Sequence, residues 1–177
     1  MGKIGNATTP APMYMFDNDA AGRTCIGRSR VSAPTRWLAC DGYLDRSQKI
    51  LDFGCGKGDE AFILKRDGFK IKAYDPYQEA FKRRPSLNAF DVVLCTYVLN
   101  VSADDRQMQA MILDAYSHLR KGGKVFFAVR RDIRPKRAGL QRCGSHQRLV
   151  YPDQLFPEMI EKIYERTKGF AIYMATH

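Results

Sequence analysis

The chain has 177 residues, with 29 Lys plus Arg against 19 Asp plus Glu and a formal net charge of +10. With 45% hydrophobic and 27% charged residues, wholesale disorder is excluded, and a chain this long buries roughly 70% of its unfolded surface without disulfide staples. Five scattered cysteines (Cys25, Cys40, Cys55, Cys95, Cys143) form no C-x-x-C pair, which argues against a disulfide framework or a zinc ribbon and predicts no metal site. Neither a membrane-length apolar run nor a signal-peptide core is present, so a soluble, cytoplasmic protein is expected.

In chain order, residues 1–23 read as an irregular arm with one apolar island, Met13-Tyr14-Met15-Phe16, and residues 24–177 as one domain. A short helical stretch is expected around Trp37–Leu44. Lys49 opens a strand, Ile50-Leu51-Asp52-Phe53, which runs into Gly54-Cys55-Gly56-Lys57-Gly58. The helix that follows is read with Ala61, Phe62 and Leu64 inward and stops at Gly68. Further strands are predicted over Phe69–Tyr74, Asp91–Cys95, Lys124–Val129 and Phe170–Ala175. A Ser102/Asp105 capping box starts a helix reaching about Leu119, with Met108, Met111, Ile112, Ala115 and Leu119 inward. Tyr151-Pro152-Asp153 is read as the start of a last helix to about Thr167. This alternation predicts an α/β fold, Rossmann-like and compact, its mainly parallel sheet covered by helices on both faces.

A strand ending in Gly-x-Gly-x-Gly before a helix lets a ligand lie against bare backbone and oriented N–H groups. Asp75 ends the next strand, where an acid accepts both hydroxyls of a ribose. A dinucleotide fingerprint would place glycine where the chain has Asp59. A sulfonium nucleoside needs no pyrophosphate cradle, and Asp52 would then lie near its cationic amino-acid end.

At this point the chain resembles the class I S-adenosylmethionine-dependent methyltransferases. Ile50–Gly58 looks like their first motif, Tyr74-Asp75-Pro76 like their ribose-binding acid, and Asp91–Val101 like the strand and loop that meet the methyl group. The resemblance implies S-adenosylmethionine as cofactor, held by Asp52, Gly54, Cys55, Gly56, Gly58, Asp75, Pro76 and Thr96, with Tyr97 and Asn100 positioning the acceptor. A narrower likeness, to methyltransferases encoded beside DNA phosphorothioation systems, rests on Ile26-Gly27-Arg28-Ser29-Arg30, Ala33-Pro34, Asp75-Pro76 and Val98-Leu99-Asn100-Val101.

Two departures stand out. Only about fifteen residues separate Asp75 from Asp91, too few for the family's usual helix, strand and helix. Phe81, Leu87 and Phe90 fill one short helix and a link, so one outer strand is expected to be missing and adenine to be met elsewhere, such as Leu87–Ala89. Leu94-Cys95-Thr96-Tyr97 also stands where methyltransferases of base amines resemble Asp/Asn-Pro-Pro-Tyr.

The positive charge is concentrated. Arg130, Arg131, Arg134, Lys136, Arg137, Arg142 and Arg148 crowd one segment opposed only by Asp132, and that segment leaves the sheet edge where ligands of open α/β folds bind. Arg130, Arg131, Arg134, Lys136 and Arg137 are therefore the expected substrate contacts. A nucleic acid is the expected partner, DNA before RNA, through phosphate pairing. A small-molecule methyltransferase with an anionic substrate, and a silent nucleic-acid-binding protein that keeps the cofactor pocket, remain as alternatives.

Overall fold

The computed structural model describes residues 27–134, 138–141 and 146–177. The 1–23 arm, Cys25, Lys136, Arg137, Arg142 and Cys143 lie outside the described residues. The element order is α1 (Ala33–Cys40), β1 (Lys49–Phe53), α2 (Asp59–Arg66), β2 (Lys70–Tyr74), β3 (Phe90–Thr96), a 3-10 turn (Leu99–Val101), α3 (Asp105–Ser117), β4 (Leu119–Arg130), β5 (Gly139–Leu140), β6 (His146–Gln147), α4 (Pro152–Leu155), β7 (Glu161–Glu165) and β8 (Phe170–Thr176).

Six strands form one sheet in the order β2-β1-β3-β4-β8-β7, and β5 pairs with β6 apart from it. The first four are parallel, whereas β8 runs antiparallel to both β4 and β7. Because side chains alternate across a strand, each apolar run divides between two cores. Leu51, Val93, Cys95 and Phe127 point into the core under α3, with Met108, Met111, Ile112, Ala115 and Leu119. Ile50, Val92, Leu94 and Phe126 pack on the other face with Leu38 of α1 and Leu64 of α2. Helices thus cover both faces, as the alternation predicts.

β2 is the sheet edge, and no helix or strand is described between Tyr74 and Phe90. The missing outer strand is as expected, but the short helix is not there; the segment is a chain of turns bound to α3. Arg84 pairs with Asp114, the two side chains 10% and 0% exposed. Ala89 N–H donates to His118 O (2.9 Å), and His118 Nδ1 lies 3.0 Å from Ser86 O.

Other expectations change in detail. Asp104, not Ser102, caps α3: its carboxylate accepts Gln107 N–H (2.7 Å), and Gln107 Oε1 accepts Ala103 N–H (2.6 Å). The first helix is earlier than Trp37–Leu44 because Ser32 caps it and Pro34 fits its first turn. Phe62 is 71% exposed, not inward. The long helix read over 151–167 is the single turn α4 followed by strand β7. No described helix is long and apolar enough to cross a membrane.

Candidate active site

The parallel strands β1 and β3 end on one sheet edge, where a cavity of about 740 Å³ opens. Three stretches found in the sequence meet there: Gly54-Cys55-Gly56, Asp75-Pro76 and Thr96-Tyr97 all line it. Gly54 (φ +74°) and Gly58 (φ +76°) lie in the left-handed region, unstrained only for glycine. An added Cβ would also stand 2.4 Å from Val98 at the first and 2.4 Å from Phe81 at the second. Gly58 does not face the cavity; it caps α2 and lets Phe81 of the turn segment close on the glycine loop.

Asp75 is clamped. Its Oδ2 accepts Gly56 N–H and its Oδ1 accepts Tyr77 N–H, both at 2.9 Å. Burial raises its pKa above the ordinary carboxylate value, and the two backbone donors partly offset that. Each oxygen keeps a second lone pair, enough for a diol. Next to it Tyr77, Val98, Val101 and Met111 give the cavity an apolar wall suited to a flat ring. The expected Leu87–Ala89 adenine contact is not formed: none of the three lines the cavity, because Asn88 and Ala89 are hydrogen-bonded to the end of α3.

Asp52 lines not the main cavity but a smaller cleft behind the glycine loop, with Arg28, Lys57 and Glu60. It is 5% exposed, and its Oδ2 finds no hydrogen-bond partner among the described residues. Burial, then the neighbouring carboxylates of Glu60 and Asp75, hold its pKa well above the usual range. A buried acid without a partner beside a cradle of backbone N–H groups suits a ligand whose nearby end is cationic. Asp52, Asp75, the glycine loop and the apolar wall therefore fit S-adenosylmethionine.

Glu60 also fixes the chain ahead of α1. Its carboxylate accepts Ser32 N–H (3.0 Å), Ser32 Oγ–H (3.1 Å) and the Thr35 hydroxyl. Arg28 N–H meanwhile donates to Asp59 Oδ2 (2.7 Å). These bonds place the Arg28 guanidinium over the Tyr97 ring, 5.6 Å from its centroid, in the wall of the cavity.

Tyr97 holds φ +64° at the end of β3, a strained backbone of the kind that collects at working sites. Burial raises its phenol pKa, which leaves the phenol protonated and able to donate a hydrogen bond at the cavity. Cys95 is fully buried and its thiol is pushed far up by burial; it is core. Asn100, expected to position the acceptor, does not line the cavity. It is fully buried, off the cavity, and clasps three chains: Oδ1 accepts Arg130 N–H (2.7 Å), Nδ2 donates to Arg148 O (2.8 Å), and its carbonyl accepts Arg148 N–H (2.9 Å).

The basic segment also differs from expectation. Arg130 lines the cavity but is forked onto Asp132 at 2.8 and 2.9 Å. Arg131 is 6% exposed in its side chain and donates to Glu165 (3.0 Å), Val150 O (2.9 Å) and the Tyr173 hydroxyl, with Tyr151 stacked against it at 4.5 Å. With Arg130 O (3.4 Å) these bonds engage four of the five guanidinium N–H groups, and Arg131 does not line the cavity, so it is held as scaffold. Arg148 pairs with Asp105. Arg134 is exposed and away from the cavity.

The stretch where the sequence predicts the last helix to end and the final strand to begin completes the cavity. Arg166, Thr167, Lys168, Gly169 and Phe170, the β7–β8 turn, form one wall, and Gln147 another. Lys168-Gly169 between Glu161–Glu165 and Phe170–Thr176 is the signal that was available: a glycine-containing turn between two runs carrying Ile and Tyr.

A family model described as a methyltransferase domain matches residues 28–158. A solved S-adenosylmethionine-dependent methyltransferase from Archaeoglobus fulgidus is similar in fold, with a TM-score of 0.57, 12% identity, and coverage of 81% of this chain and 93% of that one. The N-methyltransferase NodS from Bradyrhizobium japonicum, solved with S-adenosyl-L-homocysteine, gives 0.51 and 16% over 72% of this chain and 76% of that one. The 1,6-didemethyltoxoflavin-N1-methyltransferase from Burkholderia thailandensis, solved with its substrate and S-adenosylhomocysteine, gives 0.54 and 13% over 85% and 92%. No curated protein sequence matches the chain. With a family match across most of its length and a sheet edge shaped for the cofactor, the chain belongs to the class I S-adenosylmethionine-dependent methyltransferases.

Proposed function

We propose that this enzyme methylates a small molecule rather than a nucleic acid. The observation that carries the reading is the single cavity of about 740 Å³ running from Asp75 and the glycine loop to the β7–β8 turn. That volume lies within the usual range for small-ligand sites and gives cofactor and acceptor one chamber. One of the solved structures similar in fold is named for a small acceptor, 1,6-didemethyltoxoflavin, which favours the same reading.

When bound, the cofactor supplies a methyl group on a sulfonium. The protein contributes alignment, worth up to about 7–11 kcal/mol in favourable cases. Asp75 and the glycine loop fix the nucleoside, Asp52 the cationic end, and Tyr97 offers its phenol proton to the acceptor.

The nucleic-acid reading drew on seven basic residues in the 130–148 segment. Arg130, Arg131 and Arg148 spend their charge on internal carboxylates, and Lys136, Arg137 and Arg142 lie outside the described residues. Of the described basic residues in this segment Arg134 alone is exposed and has no ion-pair partner among the described residues, a thin basis for a phosphate track. The narrower likeness to methyltransferases beside DNA phosphorothioation systems rests on short segments, and one of them, Val98–Val101, serves here as cavity wall and clasp.

Methyl-labelled cofactor, offered with DNA, tRNA, protein and a metabolite extract, tests the proposal. Label in the low-mass fraction is the expected result. Label confined to DNA or tRNA would reject it.

A further inference from the structure

We propose that the β7–β8 turn and Arg28 form a binding site for an oxyanion, a carboxylate or phosphate, carried by the methyl acceptor. The inference rests on the small-molecule reading and names the substrate class for that same cavity.

Charge makes the case first. Five basic side chains line the cavity: Arg28, Lys57, Arg130, Arg166 and Lys168, against the acids Asp75 and Asp132. Asp132 is forked onto Arg130 and cancels it. Asp75 sits at the far end, engaged by backbone donors of the glycine loop. Arg166, Lys168 and the Arg28 guanidinium have no ion-pair partner among the described residues. Elsewhere in the same part of the fold arginines are paired: Arg131 on Glu165 and Arg148 on Asp105. Arg166 and Lys168, unpaired cations facing a concave, partly apolar space, raise its potential and favour an anion there, and Arg28, whose charge is shared with the Asp52 cleft, adds to it.

Backbone geometry points the same way. Lys168 holds φ +60°, a conformation that glycine or asparagine takes at less cost. The turn is closed by Gly169 N–H on Arg166 O and by Arg166 N–H on Phe170 O, each at 2.9 Å. A lysine kept at positive φ in a tight, hydrogen-bonded turn sets its Cα and its ammonium-bearing side chain at the cavity wall. Arginine beside it supplies the forked donors that match a planar or tetrahedral oxyanion.

The opposite wall adds a second recognition element. Gln147 Oε1 is buried at the cavity and lacks a hydrogen-bond partner among the described residues. It is placed to accept an N–H or O–H from the acceptor. The substrate class is thus a small acid that also carries a hydrogen-bond donor.

The experiment divides a metabolite extract on an anion-exchange column before reaction, then offers each pool with methyl-labelled cofactor to the wild-type protein and to the Arg166→Gln/Lys168→Asn variant. Both side chains are exposed and asparagine tolerates positive φ, so the variant keeps the turn; its thermal melt and its affinity for S-adenosylhomocysteine, expected within twofold of wild type, confirm that. The expected result is label in low-mass material from the retained, anionic pool, at an initial rate at least tenfold lower with the variant. Label from the unretained pool, or an unchanged rate in the variant, overturns the oxyanion site while leaving the small-molecule reading standing. Label only in macromolecules, or in no pool, overturns both.

Discussion

On the β1–β2 side of the cavity the ligand meets the Asp75 carboxylate and backbone N–H donors fixed at the ends of parallel strands, with Lys57 beside them and Asp52 in the adjoining cleft. On the β4–β8 side it meets the guanidinium and ammonium groups of the β7–β8 turn, while Arg28 of the chain ahead of α1 lies between the two, over Tyr97. The acids are buried, with pKa values raised by that burial, whereas Arg166 and Lys168 stand in solvent. A ligand with a cationic end belongs to the first wall. The second wall is free to vary its charge without disturbing the sheet, and the arrangement teaches that cofactor binding and acceptor choice are separable in this fold.

That separation can be broken most severely at Asp75. Asp75→Ala removes the acceptor for two ribose hydroxyls, and charge-assisted hydrogen bonds are each worth about 1.5–3 kcal/mol. Cofactor affinity measured calorimetrically should fall by roughly a hundredfold or more. An affinity within about twofold of wild type would remove Asp75 from the ribose. Gly54→Ala should come next, at about 3 kcal/mol of stability, from the left-handed φ and the 2.4 Å approach to Val98. Denaturant melts of Gly54→Ala and of Gly54→Ala/Val98→Ala separate the two costs, because only the steric part is relieved in the double variant.

Arg131 and Arg166 sharpen the contrast within the second wall. Arg131→Met leaves Val150 O and the Tyr173 hydroxyl without the arginine donor, Glu165 keeping Lys162, and should cost about 2 kcal/mol of stability with acceptor KM little changed. Arg166→Gln should do the reverse. If both variants lost stability equally, the division between scaffold and recognition arginines would be wrong.

The smallest effect concerns Asp52, where stability and binding should move in opposite directions. Its folded-state pKa is raised above its unfolded value, so ionised Asp52 costs the cofactor-free fold stability at higher pH. That cost disappears as pH falls through the folded pKa. Asp52→Asn should therefore raise the cofactor-free Tm at pH 8, with the gain closing on acidification, while cofactor affinity weakens by about tenfold, or about 1.4 kcal/mol. A lower Tm at pH 8 would show that the buried charge is matched by something else.

The cofactor half of the site was legible in the sequence because it is local. Gly54, Gly56 and Asp75 sit at strand ends whose apolar runs are unmistakable, and the parallel register of Asp52 with Ala73 brings the two turns side by side. The acceptor half is assembled from Arg28, Gln147 and Arg166–Phe170, which no local pattern joins. β7 was hidden because Ile160, Ile163 and Tyr164 fall at helical spacing, and because an edge strand paired on one side buries little. Charge was misread for a physical reason: sequence counts arginines but does not see Asp132, Glu165 and Asp105 beside them. The narrow gap between Asp75 and Asp91 did reveal the absent strand, but not that Arg84 and Asp114 would pin the shortened segment.

That shortening has a consequence for how the molecule behaves among its own copies. With no further strand beyond it among the described residues, β2 presents an unpaired row of backbone donors and acceptors, the kind of rim onto which another chain can zip. Lys70 and Lys72 lie on one face of this edge strand and are exposed, so a second copy approaching edge to edge would bring like charges together. Part of the net +10 therefore acts as a guard against self-association, at the cost of two lysines that touch no ligand.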